Sequence, residues 1–472
     1  MSNAAVAESG IENPAADAVP AGVTGRTDSV PVDPEAFIPF SRKDLVELCL
    51  EDGGLNAADA TAFRRFAGVL TSWMHFAFHE TGETIKNNYA PLNPDTAVRQ
   101  RDHTAEDLAD KADEMIGLFR HVAERANYRE IPRAQIESAL DMKTLVDVST
   151  SVDLDDFEHI AAFSRGDIFE PFTTWEWFRK VTRDVDVYQR VVLLFRFKDA
   201  AYFARKPRKR RQRRLPFEPG KIYLFLYKNV PKYDIELLFP NIEIGMSTRD
   251  RLLVGIPAIG AGIGVLLRVL PKVLIVIGVI LFFTMGPSFS ERLGVGPETI
   301  ENFLPVLTAI LALTVAFGGL AFKQYNNFKN KKISFQANIM DALFFRNLAT
   351  NISVVHRLVD QAEEAECKEI LLVTYHLLAN RDRGMTRAEL DAHIEDWMRD
   401  KFGHVMDFDI DGPIDNLMGI RANIDGVEKP LLTVDDNGVL RILPLHDSCR
   451  VLDRLWDDAF DFDSSRPAAA PA

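Results

Sequence analysis

The sequence predicts α+β soluble domains, mostly α, that flank a transmembrane helical hairpin, with a winged-helix-like domain at the C-terminal end. Two apolar blocks, Leu252–Met285 and Phe303–Phe322, interrupt an otherwise charged chain of 472 residues, and the second has the length of a bilayer crossing. Apolar residues recur at helical spacing on both sides of these blocks. A hairpin signal near the C-terminus completes the pattern on which the fold class rests.

The N-terminal part is predicted to be helical after a disordered tail over residues 1–38. Small and polar residues dominate that tail, and no aromatic side chain occurs before Phe37. Folded structure is expected to begin at Ser41, whose hydroxyl can cap a helix. Apolar positions at three-to-four spacing then predict an α-helical domain over residues 40–165.

Residues 166–250 predict a β-containing domain with a basic loop. Val191–Lys198 and Ile222–Lys228 are rich in β-branched and aromatic residues, as strands are. Eight of the ten residues between positions 205 and 214 are basic, so this loop is expected to be exposed. Three interpretations of this loop are open: it is simply solvated, it contacts anionic lipid, or it contacts nucleic acid. It lacks the interleaved aromatic residues that are typical of nucleic-acid contacts. The candidate lipid contacts are Arg205, Lys206, Arg208, Lys209, Arg210, Arg211, Arg213 and Arg214.

Residues 252–322 are the predicted membrane region. The first apolar block would be roughly 51 Å long as one straight helix, which is too long for a single perpendicular crossing. Its Gly and Pro residues therefore predict an interfacial or re-entrant segment over 252–267, followed by spans at about 269–285 and 303–322. Basic residues before the first block and after the second favour two spans over three. Arg268 and Lys272 are the predicted intramembrane or interfacial charges.

The C-terminal part predicts juxtamembrane helices over 323–378 and a small acidic domain over 379–461. Thr386 and Glu389 form a capping-box pattern, and the DDNG sequence at 435–438 lies between two apolar runs, as in a hairpin. With a final helix from about Cys449, these signals predict the winged-helix-like domain, followed by a disordered tail over 462–472. Residues 363–472 hold 24 acidic against 12 basic residues, a balance that disfavours nucleic acid as a partner.

The sequence predicts no catalytic, cofactor-binding or metal-binding residue. It contains no P-loop, no GxSxG, no dinucleotide fingerprint and no catalytic Cys-His signature. An enzyme is therefore not favoured, although a hydrolase around Asp184, Asp234 and Glu236 stays open.

Two patterns resemble metal sites without completing them. His75 and His79 have the helical spacing of zinc ligands but no third ligand, which favours a structural role. Asp407–Gly412 resembles the start of a calcium loop, but Pro413 follows and Met418 stands where the loop needs Glu. A helix-capping turn is therefore favoured there.

Seven stretches of the chain form an ordered pattern found in a known family. The stretches are HFAFHE (75–80), YAPLNPD (89–95), YQRVVLLFRFK (188–198), YKNVPKYDIELLFP (227–240), STRDRLLVGIPAIGAG (247–262), NNFKNKK (326–332) and VVHRLVDQAEEAECKEILL (354–372). They resemble the membrane family known as domain of unknown function 3754, which includes the transmembrane protein 143 group. The resemblance covers most of residues 40–420 and implies a membrane-anchored protein with about two spans near the middle, with no activity attached.

From these features the sequence predicts a membrane-anchored scaffold or regulatory protein that presents two domains on one membrane face. The expected partners are membrane lipids, an unidentified protein and a second copy of the chain, with no nucleic acid and no cofactor. An oligomeric transport or lipid-handling protein is the alternative. The expected location is the bacterial cytoplasmic membrane, with both domains on the cytoplasmic side.

Overall fold

The computed structural model describes residues 35–96, 102–141, 149–176, 179–206, 217–245 and 343–459, together with scattered helical positions between 319 and 340. Nine α-helices and twelve strands are defined in these ranges. The helices are α1 (Arg42–Glu51), α2 (Ala57–Tyr89), α3 (Ala105–Arg125), α4 (Arg133–Asp141), α5 (Ala200–Arg205), α6 (Ile352–Ala379), α7 (Arg387–Phe402), α8 (Asp411–Gly419) and α9 (Leu445–Asp458).

The strands form antiparallel sheets. The largest has five strands in the order β1-β3-β4-β5-β7, and β3 and β4 pair along almost their whole length as one long hairpin. The strands are β1 (Arg129–Glu130), β2 (Ser149–Ser151), β3 (Phe157–Glu176), β4 (Arg179–Phe197), β5 (Ile222–Pro231), β6 (Glu243–Gly245), β7 (Asn347–Thr350), β8 (Met385–Thr386), β9 (Arg421–Ile424), β10 (Val427–Pro430), β11 (Leu432–Val434) and β12 (Val439–Ile442).

The five-stranded sheet separates two hydrophobic cores because successive side chains of a strand point to opposite faces. Val192 and Leu194 of β4 belong to a large core shared with the N-terminal helices, α6 and the C-terminal elements. Val191 and Leu193 belong to a smaller, aromatic-rich core on the other face. The two predicted strands at 191–198 and 222–228 are confirmed within β4 and β5.

Local signals at several element ends are also confirmed. The Ser41 hydroxyl accepts a hydrogen bond from the Asp44 amide at the start of α1. Thr386 and Glu389 form the predicted capping box of α7. β11 pairs with β12 around the predicted turn.

The predicted transmembrane hairpin is corrected by the structure. Within the described ranges, no helix is both long enough and apolar enough to cross a membrane. The longest two, α2 and α6, carry charged residues along their length, including Glu363, Glu366 and Lys368 in the middle of α6. The predicted spans at 269–285 and 303–322 lie outside the described residues, apart from Gly319 and Phe322.

The fold class is therefore a mixed α/β fold with antiparallel sheets, not mostly helical domains on either side of a hairpin. The membrane-anchored scaffold, the transport or lipid-handling alternative and the inner-membrane location all depended on that hairpin. They are corrected together with it, because the helices that the structure describes include no membrane span.

Asn351 joins the N-terminal helices to the sheet. Its side-chain oxygen accepts hydrogen bonds from the Tyr89 hydroxyl (3.2 Å) and the Leu224 amide (3.1 Å), and its amide nitrogen donates to Asp95. The Tyr89 hydroxyl also lies 3.0 Å from the Ile222 carbonyl oxygen. One buried side chain thus connects the end of α2, the strand β5 and the start of α6.

Candidate functional site

A cleft of about 190 Å³ lies between α2 and α6. Its lining residues recur every three or four positions on each helix, so one face of α2 lies opposite one face of α6. At Gly82 a β-carbon would lie 3.6 Å from a methyl of Val359, so the helices approach closely at this point. The lining residues are His75, Phe78, His79, Gly82, Glu83, Lys86, Val355, His356, Val359, Asp360 and Glu363.

Glu363 is the buried polar group of this cleft. Its side chain is only 8% exposed, and its two oxygens lie 3.2 Å from Arg42 Nη1 and 2.8 Å from His75 Nδ1. The His75 side chain is 72% exposed, so its ring reaches from the buried carboxylate towards solvent. Because the carboxylate accepts at Nδ1, the neutral ring carries its proton there and keeps Nε2 as an acceptor.

The rim of the cleft is charged. Glu83 forms an ion pair with Lys86 one turn along α2. The hydrogen bond from Lys86, aided by the nearby His79 and His356, lowers the pKa of the Glu83 carboxyl. Glu83 of α2 and His356 of α6 both line the cleft, so polar groups of the two helices face each other across the opening.

His75 and His79 both belong to this cleft, which the sequence did not predict. In the part of the chain that the structure describes, no three His, Cys, Asp or Glu side chains are grouped so that they could hold a metal ion. The facing residues His356 and Glu363 were also missed as site residues. They lie in the stretch 354–372, for which the sequence predicts helices and a family resemblance but no site.

A second buried polar network lies on α6 beside the cleft. Arg125 Nε donates to Glu366 at 2.5 Å, and Asn416 donates to the same carboxylate. Asn127 donates to Glu369 at 3.0 Å. Glu369 is 4% exposed, and burial raises the pKa of its carboxyl well above the ordinary value.

Replacing Glu369 by glutamine is expected to stabilise the protein at neutral pH. Because burial raises the pKa of Glu369, the folded protein binds more protons at this position than the unfolded chain does, so stability falls as the pH rises above the unfolded pKa. Glutamine keeps an acceptor for Asn127 and removes this loss, for a gain of roughly 1 kcal/mol at pH 7. Urea unfolding across a pH series checks this, with the exposed Glu124→Gln as control. A gain that did not grow with pH would contradict it.

The calcium-like turn is a helix cap, as predicted. The Asp409 carboxylate accepts hydrogen bonds from the amides of Asp411 (3.2 Å) and Gly412 (3.3 Å) at the start of α8. The side chain therefore satisfies free amides of the first helical turn.

The structure describes two of the eight residues proposed as lipid contacts. Lys206 forms ion pairs with Asp153 (2.6 Å) and Asp156, so its charge is already compensated within the fold. Arg205 ends α5. The other six basic residues, and Arg268 and Lys272, lie outside the described residues. Their predicted roles stay predictions.

A family model described as Protein of unknown function (DUF3754) matches residues 188–353. The match begins in β4, includes β5 and β7, and ends at the first turn of α6, next to His356 and Glu363. No solved structure matches the chain. The narrower likeness to the transmembrane protein 143 group stays a prediction. The match confirms the resemblance noted in the sequence for this part of the chain: residues 188–353 form a region of the family of proteins of unknown function DUF3754.

Proposed function

We propose that the chain is a binding protein for a small organic amine, which it takes up in the cleft between α2 and α6. The observation that carries this proposal is the hydrogen bond of 2.8 Å between His75 Nδ1 and the buried Glu363 carboxylate. It orients an exposed ring so that Nε2 can accept a hydrogen bond from a ligand. An ammonium group is the complementary donor.

The charge of the cleft favours a cation. Three carboxylates and one ammonium group line it, those of Glu83, Asp360, Glu363 and Lys86. Arg42 forms an ion pair with Glu363, and Lys86 forms one with Glu83, so the charges of these two carboxylates are compensated. Asp360 has no such partner among the ion pairs of the described residues, so a cationic ligand finds an acceptor on each helix.

The size and floor of the cleft suit a short aliphatic ligand. Its volume of about 190 Å³ lies below the range of pockets for drug-sized ligands, which favours a smaller ligand. Phe78, Val355 and Val359 provide apolar surface between the polar groups. A short alkyl diamine matches both the volume and the alternation of polar and apolar surface.

Calorimetric titration of the full-length chain with 1,4-diaminobutane tests the proposal. We expect saturable binding that weakens with added salt, and no saturable binding of inorganic phosphate. His75→Ala is expected to weaken diamine binding about fivefold to tenfold, since it removes one ligand hydrogen bond. His121→Ala, on the exposed surface of α3, should bind like the wild type.

Two results would overturn the proposal. One is diamine binding no stronger than that of an equal concentration of potassium chloride. The other is equal affinity in the wild type and in His75→Ala, because the oriented imidazole would then contribute nothing. Glu363→Gln tests the orienting role of the carboxylate separately from the direct contact of His75 with the ligand. Binding should weaken although the His75 side chain is still present.

A further inference from the structure

A short extended segment, residues 35–40, crosses from the five-stranded sheet to the C-terminal elements; we call it the strap. At one end the Gly166 amide donates to the Glu35 carboxylate at 2.6 Å. The Asp407 amide lies 3.4 Å from the Glu35 carbonyl oxygen, and Lys368 Nζ lies 3.3 Å from that of Ile38. The strap thus connects β3, α6 and the segment before α8.

The contact at Gly166 requires a glycine. Its φ of +77° lies in the left-handed region, and a β-carbon there would come within 2.5 Å of Gln189 Oε1. This conformation turns the Gly166 amide towards Glu35 and places the next residue, Asp167, beside the end of the strap.

Two carboxylates share one lysine at this place. Lys232 Nζ lies 2.7 Å from Asp167 Oδ2 and 3.0 Å from Asp186 Oδ2. The other oxygen of each carboxylate, Oδ1, is buried without a hydrogen-bond donor among the described residues. Glu35 adds a third carboxylate, so acceptors exceed donors unless one or more of these groups carries a proton.

The surrounding charged groups complete the electrostatic environment. They come from every element that packs against the strap and the carboxylates. These groups are Arg129 of β1, Arg165 of β3, Tyr188 of β4, Lys232 after β5, Lys368 of α6, and His404 and Asp407 after α7.

We propose that the strap is a pH-dependent latch, closed when Glu35 and Asp167 carry protons and released as the pH rises. Burial raises the pKa of Glu35, and burial likewise raises that of Asp167. A raised pKa means that the latched state binds more protons than the released state. The latch is therefore strongest at a pH below the ordinary pKa of a carboxyl group, and it weakens as the pH rises through the raised pKa values of the latched state. This inference is independent of any ligand in the cleft.

Hydrogen exchange of the full-length chain tests the latch. We expect peptides that contain residues 35–40, Gly166 and Asp407 to be better protected at about pH 5 than at about pH 8, after correction for the intrinsic exchange rate. The opening equilibrium should change by roughly tenfold for each unit by which the latched pKa exceeds the released one. Peptides from α9, which carries none of these groups, should show no such change.

Two variants and a control test whether protonation of these carboxylates causes the change in protection. Glu35→Gln should keep the Gly166 contact and hold the strap closed at about pH 8, and Asp167→Asn should do the same by donating to Asp186. Glu170→Gln, on the same strand, should behave like the wild type. Equal protection of the wild-type strap at both pH values would overturn the proposal, as would a strap that Glu35→Gln opens at both.

Discussion

Replacing Asn351 by alanine is expected to lower the free energy of unfolding by roughly 3 kcal/mol. Asn351 is 6% exposed, and its oxygen accepts from the Tyr89 hydroxyl and the Leu224 amide. Alanine would leave the buried Leu224 amide without its acceptor and Asp95 without this donor, at about 1–3 kcal/mol for each unsatisfied group. The Tyr89 hydroxyl keeps its contact with the Ile222 carbonyl oxygen. The backbone of Asn351, with φ 48° and ψ −125°, lies in a region that favours glycine, so alanine brings no relief of backbone strain to offset this loss.

Urea unfolding monitored by circular dichroism measures this effect. Asn351→Gly separates the hydrogen bonds from the backbone strain, because glycine relieves the backbone but restores no hydrogen bond; it should recover only part of the loss. Asn87→Ala, on the exposed side of α2, should stay within about 0.5 kcal/mol of the wild type. If Asn351→Ala did so too, the junction between α2, β5 and α6 would not depend on this side chain.

The parts of the fold that the sequence predicted correctly are those governed by local interactions. The cap at Ser41, the capping box of Thr386 and Glu389 and the turn between β11 and β12 each involve residues at most a few positions apart. Their hydrogen bonds follow from side-chain chemistry and spacing alone. The strand at residues 191–198 could also be predicted from the sequence, because both faces of β4 are buried there and nearly every position is apolar.

The rest of the sheet depends on pairing that local patterns do not show. Residues 157–176 mix apolar, charged and small side chains, yet they form β3 because β4 supplies hydrogen-bond partners along almost its full length. The helical domain predicted over 40–165 therefore includes the beginning of a long strand. The hydrophobicity pattern also led to the wrong fold class. It identified the apolar blocks but did not indicate the antiparallel sheet around which the described elements pack.

The cleft could not be predicted because its two faces are distant in sequence. His75 and Glu363 are 288 positions apart and meet only because α2 packs against α6. The sequence did contain a usable signal: Glu363, Glu366 and Glu369 recur every three positions in α6 among buried apolar residues, and charged groups in a buried helix need partners. Those partners are Arg42, Arg125 and Asn127. The domain boundaries and the roles of the polybasic residues beyond Lys206 stay predictions.

Replacing His376 by leucine is expected to make the protein markedly less sensitive to acid. The ring of His376 is 1% exposed in α6, its centroid lies 5.0 Å from those of His393 and Trp397, and its Nε2 has no hydrogen-bond partner among the residues that the structure describes. Burial, reinforced by His393, lowers the pKa of His376 to about 3, against 6.5 for the free side chain. The folded protein therefore binds fewer protons at this position than the unfolded chain does.

The sign of the pH dependence follows from that difference. The contribution of the neutral His376 is fully present above about pH 6.5 and is lost as the pH falls towards about 3, at about 1.4 kcal/mol for each unit of pKa. The wild type should therefore lose on the order of 4 kcal/mol more than His376→Leu over this interval. Unfolding free energies at a series of pH values measure the difference independently of any packing change, which would shift both ends equally. The exposed His121→Leu should follow the wild type. Coincident pH profiles for His376→Leu and the wild type would contradict the lowered pKa of His376, because the folded and unfolded chains would then bind equal numbers of protons at this position.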